Sequence, residues 1–315
     1  MRRQRVLLLV FCLGAVVLAG CHKPEAGALR IAVLPILDTL PLYVAEAEGY
    51  FAAQGIAVEL IPAASAAERD QLLQAGQIDG FITDLVALAL YNRESPQVVA
   101  VRYAMVPTAD FAQFRILAAS NSGMITAEEL RGVPIGVSEG TVIEYVTHRL
   151  LEAEGLPTDA IATLAVPKIP DRMALLNAGE LRAATLPEPL ASLAMQQGAV
   201  LIVDDTRHPE IACSLYAFRK EVIDQQPQTV RAFLTAIDQA SAAINADKSR
   251  WSDLLTEKGL VPAPLARAYT LPDYPADAIP TAAQFADAIA WLQATGRLTQ
   301  SPAYRDSVVK VDGRQ

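Results

Sequence analysis

The 315-residue sequence predicts an α/β protein built from two lobes in succession. Three observations carry that prediction. Short β-branched apolar runs alternate with helix-patterned segments, as right-handed βαβ crossovers and a mostly parallel sheet require. Glycine or proline closes most of the helical segments, in the manner of C-terminal caps. The alternation then runs a second time after residue 130, giving two halves of roughly 90 residues, an ordinary size for one sheet with its helices.

Taken in order, 29–34 (LRIAVL) is the opening strand and 41–54 the first helix, stopped by Gly55. The alternating stretch 56–61 (IAVELI) is a second strand. A helix at 66–75 ends at Gly76, a strand follows at 78–82, a helix at 85–91 and a strand at 98–103. In the second half, 130–132 leads into a strand at 134–137, and a long helix at 141–154 is closed by Gly155 and Pro157. Strands at 161–166, 183–186 and 200–203 alternate with helices at 171–178 and 189–197, which end at Gly179 and Gly198. From 228 onward the pattern is helical only, over 229–246, 251–258, 265–269 and 282–295. Without strands of its own, this tail is expected to pack back on a lobe already built.

The chain opens with a different kind of segment. Arg2, Arg3 and Arg5 precede an uncharged, mainly apolar run over 6–20. As a helix, that run would extend roughly 22 Å, short of the ~30 Å hydrocarbon core of a bilayer. A basic start, a short apolar stretch and small residues at its end are the marks of an export signal. Leu18-Ala19-Gly20 followed by Cys21 resembles the bacterial lipobox, which implies cleavage after residue 20 and lipidation of Cys21. Residues 21–28 then read as a tether. With Cys12 removed and Cys21 lipidated, Cys213 is left alone, so no internal disulfide is expected and the core must hold the fold. Loss of three arginines takes the formal charge from -9 to -12. So acidic a surface repels phosphate backbones, and nucleic acid is excluded as a partner.

Four segments carry a family resemblance. LPLYVAEAEGYFAAQGIAVEL (40–60), LLQAGQIDG (72–80), LRGVPIGVSEGT (130–141) and LPEPLASLAMQQGAVLI (186–202) stand in the order and spacing of one family. They resemble the nitrate/sulfonate/taurine and thiamine-precursor type of ABC-importer solute-binding protein, and the likeness extends over essentially 29–298. The resemblance implies a type II periplasmic-binding-protein fold, with two α/β lobes joined by a two-crossing hinge. Lobe 1 would comprise 29–115 and the mainly helical return 214–315, and lobe 2 would comprise 116–213. It also implies a monomer, exported and held at the cell membrane by its lipid, that faces the periplasm or exterior. It would bind a small molecule, without cofactor or metal, and pass it to an ABC permease served by its ATPase.

In open α/β sheets a ligand sits beyond the carboxyl ends of the strands, where helix N-termini converge. The strand-to-helix junctions on that side hold Leu37, Asp38 and Thr39, then Thr83 and Asp84, in the first half. The second half contributes Ser138, Glu139, Gly140 and Thr141, and then Pro187, Glu188 and Pro189. Several of these are equally good helix N-caps. Tyr216, near the second hinge crossing, offers an aromatic face to a ligand, whereas Tyr43 reads as helix packing. The junctions carry Asp38, Asp84, Glu139 and Glu188 but no lysine or arginine. That charge favours a neutral or cationic ligand, such as a nitrogen heterocycle, over an anion.

Other functions were weighed on the same residues. Gly136-Val137-Ser138-Glu139-Gly140 fits the G-x-S-x-G of a serine hydrolase between a strand and a helix. His148 lies two turns along the same helix, and His208 follows Asp204 and Asp205 closely, so neither is well placed as the base. The three histidines are isolated, with no H-x-x-x-H, C-x-x-C or Walker sequence. A binder rather than an enzyme is expected, with a ligand-presenting sensor lipoprotein as the alternative role.

Overall fold

The computed structural model describes residues 27–266 and 268–311. The leader, Cys21 and most of the tether lie outside them. The first half runs β1 (Leu29–Val33), α1 (Leu40–Ala47), α2 (Tyr50–Ala53), β2 (Val58–Pro62), α3 (Ala66–Gln74), β3 (Gly80–Thr83), α4 (Leu85–Tyr91) and β4 (Val98–Met105). The second runs β5 (Phe114–Ala118), β6 (Ile135–Val137), α5 (Val142–Ala153), β7 (Thr163–Ala165), α6 (Ile169–Ala178), β8 (Ala183–Pro187), α7 (Leu190–Gln196) and β9 (Val200–Asp204). The return comprises β10 (Ser214–Arg219), α8 (Lys220–Gln225), α9 (Pro227–Ala246), α10 (Ser252–Glu257), α11 (Ala282–Ala294) and α12 (Tyr304–Ser307).

The strands form two five-stranded sheets, in the orders β2-β1-β3-β10-β4 and β7-β6-β8-β5-β9. This is the two-lobed α/β architecture that the alternation of strands and helices predicts. The sheets are mixed rather than mostly parallel. β1 pairs in parallel with β2 and β3, and β6 with β7 and β8. β10 runs antiparallel to β3 and β4, and β5 antiparallel to β8 and β9. The reason is topological: β5 and β10 are the strands by which the chain enters lobe 2 and comes back. Each inserts into the middle of a sheet against the direction of its neighbours.

Local chemistry accounts for the elements. β1 is apolar except for Arg30, and four of its five residues are buried, as suits a strand covered by helices on both sides. The helix expected over 41–54 is broken, because Gly49 takes φ +71° and restarts the chain as α2. α9 buries Val230, Phe233, Leu234, Ile237, Ala240, Ser241 and Ile244, a stripe at helical spacing. Its Phe233 ring meets Phe51, Tyr216 and Phe218 at 5.6, 6.0 and 5.3 Å, fixing the return to the first sheet. Residues 265, 266 and 268, in a stretch expected as helix, form turns instead. α11 starts with a Thr281/Gln284 capping box and packs between α4 of the first half and α5 of the second. The return therefore touches both lobes, not one.

Candidate functional site

A cleft of about 1300 Å³ separates the carboxyl ends of the two sheets. From the first half it is lined by the turn after β1, by α3 and by the start of α4. From the second it is lined by the turns after β6, β7 and β8. These are the junctions at which helix N-termini point outward.

The expected site residues fall into three groups. Asp84, Ser138, Gly140, Thr141 and Glu188 line the cleft from opposite sides. Asp84 caps α4 by accepting the Ala87 N–H at 2.9 Å. Burial pushes its carboxyl above the ordinary value, opposed by the Ala87 amide and by Arg69. Ser138 Oγ donates to Pro167 O and accepts from Arg172 Nη1, each at 3.0 Å. Thr141 caps α5 through Ile143 N–H and donates to Ser138 O at 2.7 Å. Gly140 takes φ +74°, a conformation that favours glycine, and donates to Glu144 Oε2 at 2.6 Å. Glu188 precedes a cis proline, accepts from Tyr269 OH at 2.8 Å and is ion-paired with Arg115.

A second group lies behind the cleft wall, in the seam where both hinge crossings meet. Asp38 is 8% exposed and accepts a hydrogen bond from Ser214, whose hydroxyl accepts from Gln113 Nε2 at 2.7 Å. Gln113 precedes β5 and Ser214 opens β10, so this chain of bonds joins the two crossings. Burial raises the Asp38 carboxyl above its ordinary value, opposed by the Ser214 hydroxyl and a backbone amide. Tyr216 and Tyr274 phenols are raised by burial first and by the Asp38 charge second. Tyr216 OH and Gln113 Oε1 are buried without a hydrogen-bond partner. A buried carboxyl group beside orphaned polar atoms is costly unless a further partner arrives.

The remaining residues stand apart. Thr39 is wholly buried and donates to Leu34 O and Ile36 O, which holds the turn after β1. Thr83 is buried with its hydroxyl unpartnered, and Glu139 is exposed; neither lines the cleft. Tyr43 carries Lys258 over its ring at 5.3 Å, away from the cleft.

The junction reading passed over cations that the fold brings in. Arg69 of α3 lines the cleft but is engaged by Ile82 O, Asp70 and Tyr91 OH. Lys168, just before α6, lines it too and is exposed. Arg172 in the first turn of α6 is fully buried, with Nη1 on Ser138 Oγ and Val166 O and with Nε and Nη2 unpartnered. Burial alone pulls its guanidinium down to about 10. The signal for both lay in the sequence, since 161–166 reads as a strand and Lys168 follows it at a junction like the others.

The NMT1-like family model matches residues 22–254. The chain belongs to the NMT1-like family. Among curated protein sequences none matches. Solved structures give the same fold for this NMT1-like chain. The periplasmic aliphatic sulphonate binding protein SsuA from Escherichia coli is 20% identical, with a TM-score of 0.75 over 93% of this chain and 96% of that one. The alkanesulfonate-binding protein SsuA from Xanthomonas axonopodis pv. citri, bound to MOPS, is 19% identical, with a TM-score of 0.73 over 91% and 99%. The desulfurization enzyme DSZB shares the architecture at 15% identity and a TM-score of 0.65, over 90% and 96%. Binding proteins and an enzyme thus stand on one scaffold, and function has to be argued from the site. No described helix is long and apolar enough to cross a membrane.

Proposed function

We propose that this chain is the solute-binding component of an ABC importer, exported and anchored outside the membrane by a lipid on Cys21. It works as a monomer, captures a small molecule between its lobes and hands it to the permease, whose ATPase drives uptake. The cleft carries the reading. At about 1300 Å³ it exceeds the roughly 300–1,000 Å³ of an ordinary ligand pocket, so a small ligand meets both walls only when the lobes approach. Ligand contacts to both walls then select the closed form. Family membership and the likeness to sulfonate-binding proteins support the transport role over a sensor lipoprotein.

The ligand in this reading is a neutral or cationic nitrogen heterocycle, such as an aminopyrimidine. Support comes from Asp38, a buried carboxylate behind the cleft wall at the meeting of both hinge crossings, with Tyr216 OH and Gln113 Oε1 unpartnered; in this reading the ligand reaches that seam as the lobes close. Ring amines donate to such acceptors. Asp84 offers a further acceptor on the lobe 1 wall, with Ser138, Gly140, Thr141 and Glu188 opposite. Catalysis is not part of this reading: Ser138 Oγ is engaged by Arg172 and Pro167 O, while His148 packs on Trp291 and His208 pairs with Glu210. A second ligand class, an anion, is favoured by one observation, the buried Arg172 without a counter-ion beside exposed Lys168.

Calorimetry separates the two. With 4-aminopyrimidine as probe, Asp38→Asn should weaken binding roughly 10- to 100-fold, the loss of one charge-assisted hydrogen bond, and Arg172→Met should leave it intact. Binding of ethanesulfonate alone, lost in Arg172→Met, would replace the nitrogen-base reading with the anion.

A further inference from the structure

Glu144, in the first turn of α5, is the second-row carboxylate of lobe 2, and its side chain is only 7% exposed. One oxygen accepts the Gly140 N–H at 2.6 Å. Both oxygens accept from Arg297 Nη2, at 2.9 and 3.2 Å. Gly140 belongs to the 138–141 turn that lines the cleft, and Arg297 follows α11, which packs on α4 of lobe 1. The Arg297 guanidinium is further fixed over the Trp291 ring at 5.3 Å. Trp291 in turn meets Tyr145 edge-on at 5.6 Å. Lower on the same seam, Tyr145 OH and Arg149 Nε both donate to Asp287 Oδ2, at 2.7 and 2.8 Å.

We propose that Glu144 and Arg297 form a latch by which the C-terminal return sets the shape of the ligand-facing turn in lobe 2. Glu144 is a positioning residue: it touches the turn, not the ligand. With Arg297 docked, the carboxylate is neutralised and held where it receives the Gly140 N–H. That bond keeps the turn in its φ +74° conformation and presents Ser138 and Thr141 to the cleft. With Arg297 withdrawn, a nearly buried carboxylate loses its counter-charge, and the cheapest response is to swing outward and release Gly140. Separation of the return from α5 therefore loosens the turn, and docking tightens it. The latch rests on the reading of the cleft as the capture site, but its physical test needs no ligand.

The test is hydrogen exchange at single-residue resolution on the ligand-free full chain, comparing wild type, Arg297→Met and Glu144→Gln. Methionine keeps an apolar stem over Trp291, and glutamine keeps an oxygen for Gly140. Arg297→Met is expected to speed exchange of the Gly140 amide by roughly tenfold or more, with amides of β6 and β8 unchanged. Glu144→Gln should fall between that variant and wild type. Unchanged exchange at Gly140 in Arg297→Met overturns the latch. So does acceleration spread evenly over both sheets, which reports lost global stability instead. Since no ligand enters the measurement, a failed binding assay would leave this result standing, and the reverse also holds.

Discussion

Asp38→Asn is the substitution on which stability and binding are expected to move in opposite directions. The carboxylate is buried, and its charge is stabilised by the Ser214 hydroxyl and a backbone amide rather than by an ion pair among the described residues. Its folded-state value is raised above the unfolded one, so the fold prefers it protonated. Stability from this group is fully present below the unfolded value and is lost as pH rises through the folded value. Above the folded value the wild type bears that loss and the asparagine variant does not. An uncompensated buried charge costs several kcal/mol, and one charged hydrogen bond returns about 1.5–3, leaving roughly 1–3 kcal/mol to be regained. At roughly 2–4 °C per kcal/mol for a chain of this size, the ligand-free variant should melt several degrees higher once pH exceeds the folded value. The gap should narrow on acidification, as the wild-type carboxyl takes up its proton. Differential scanning calorimetry between pH 4 and 8 reads both effects. A variant that melts at or below wild type across the whole range, with the same pH slope, would refute the claim that Asp38 is a burdened, ligand-seeking charge.

The other expectations concern single residues around the cleft. Asp84→Ala removes the α4 cap and should cost about 1 kcal/mol in stability while weakening ligand binding in calorimetry. Glu188→Ala should weaken binding too, and it leaves Arg115 with the Ser192 hydroxyl at 3.2 Å and Asp204 at 3.9 Å, so a larger loss is expected, toward the low end of the roughly 3–5 kcal/mol for a broken buried pair. Chemical denaturation distinguishes those two costs. Gly140→Ala meets no clash, since the nearest atom to a new Cβ is Arg297 Nε at 3.5 Å, but φ +74° costs an L-residue about 1–2 kcal/mol. Asp205, which accepts the Gln113 and Phe114 amides at 2.9 and 3.1 Å beside the first crossing, is pushed up to about 7 by burial. Its side-chain carbon signal should therefore titrate near neutrality, and its share of stability should fade as pH rises through that point. A midpoint in the ordinary carboxylate range would mean that the two amide bonds outweigh burial.

How much of this was legible follows from where each signal resides. The alternation of β-branched runs and helices is local, and β1, α3, α4, β6, α5, β8 and α9 stand within a few residues of their expected bounds. β5 and β10 were not anticipated as strands. Their sequences, FRILA and SLYAF, are ordinary apolar runs. What makes them strands is pairing with β8, β9, β3 and β4, partners tens of residues away. The break at Gly49 was hidden because Tyr50 and Phe51 continue the helical spacing across it. At the site, junction logic located the turns on both walls, because the place where ligands bind on open sheets, beyond the carboxyl ends of the strands, depends only on strand and helix order. It did not show that Asp38 would sink behind the wall, since burial there is decided by Ser214, Gln113 and Tyr274, which come from three distant segments. Nor did charge at the junctions alone describe the cleft. Arg69 sits one turn into α3 and Arg172 in the first turn of α6, and each reaches back to the cleft wall.

The central claim is that the cleft captures a small nitrogen base, and a thermal-shift series on refolded, ligand-stripped protein tests it most directly. Aminopyrimidines, thiamine and flavin fragments and simple amines would be set against sulfonates, nitrate and bicarbonate. A ligand at 100 times its dissociation constant stabilises by about 2.7 kcal/mol, a rise of roughly several degrees. The account predicts such a rise with a nitrogen heterocycle or amine, abolished by Asp38→Asn. A rise with sulfonate or nitrate alone, unaffected by that substitution, would contradict it.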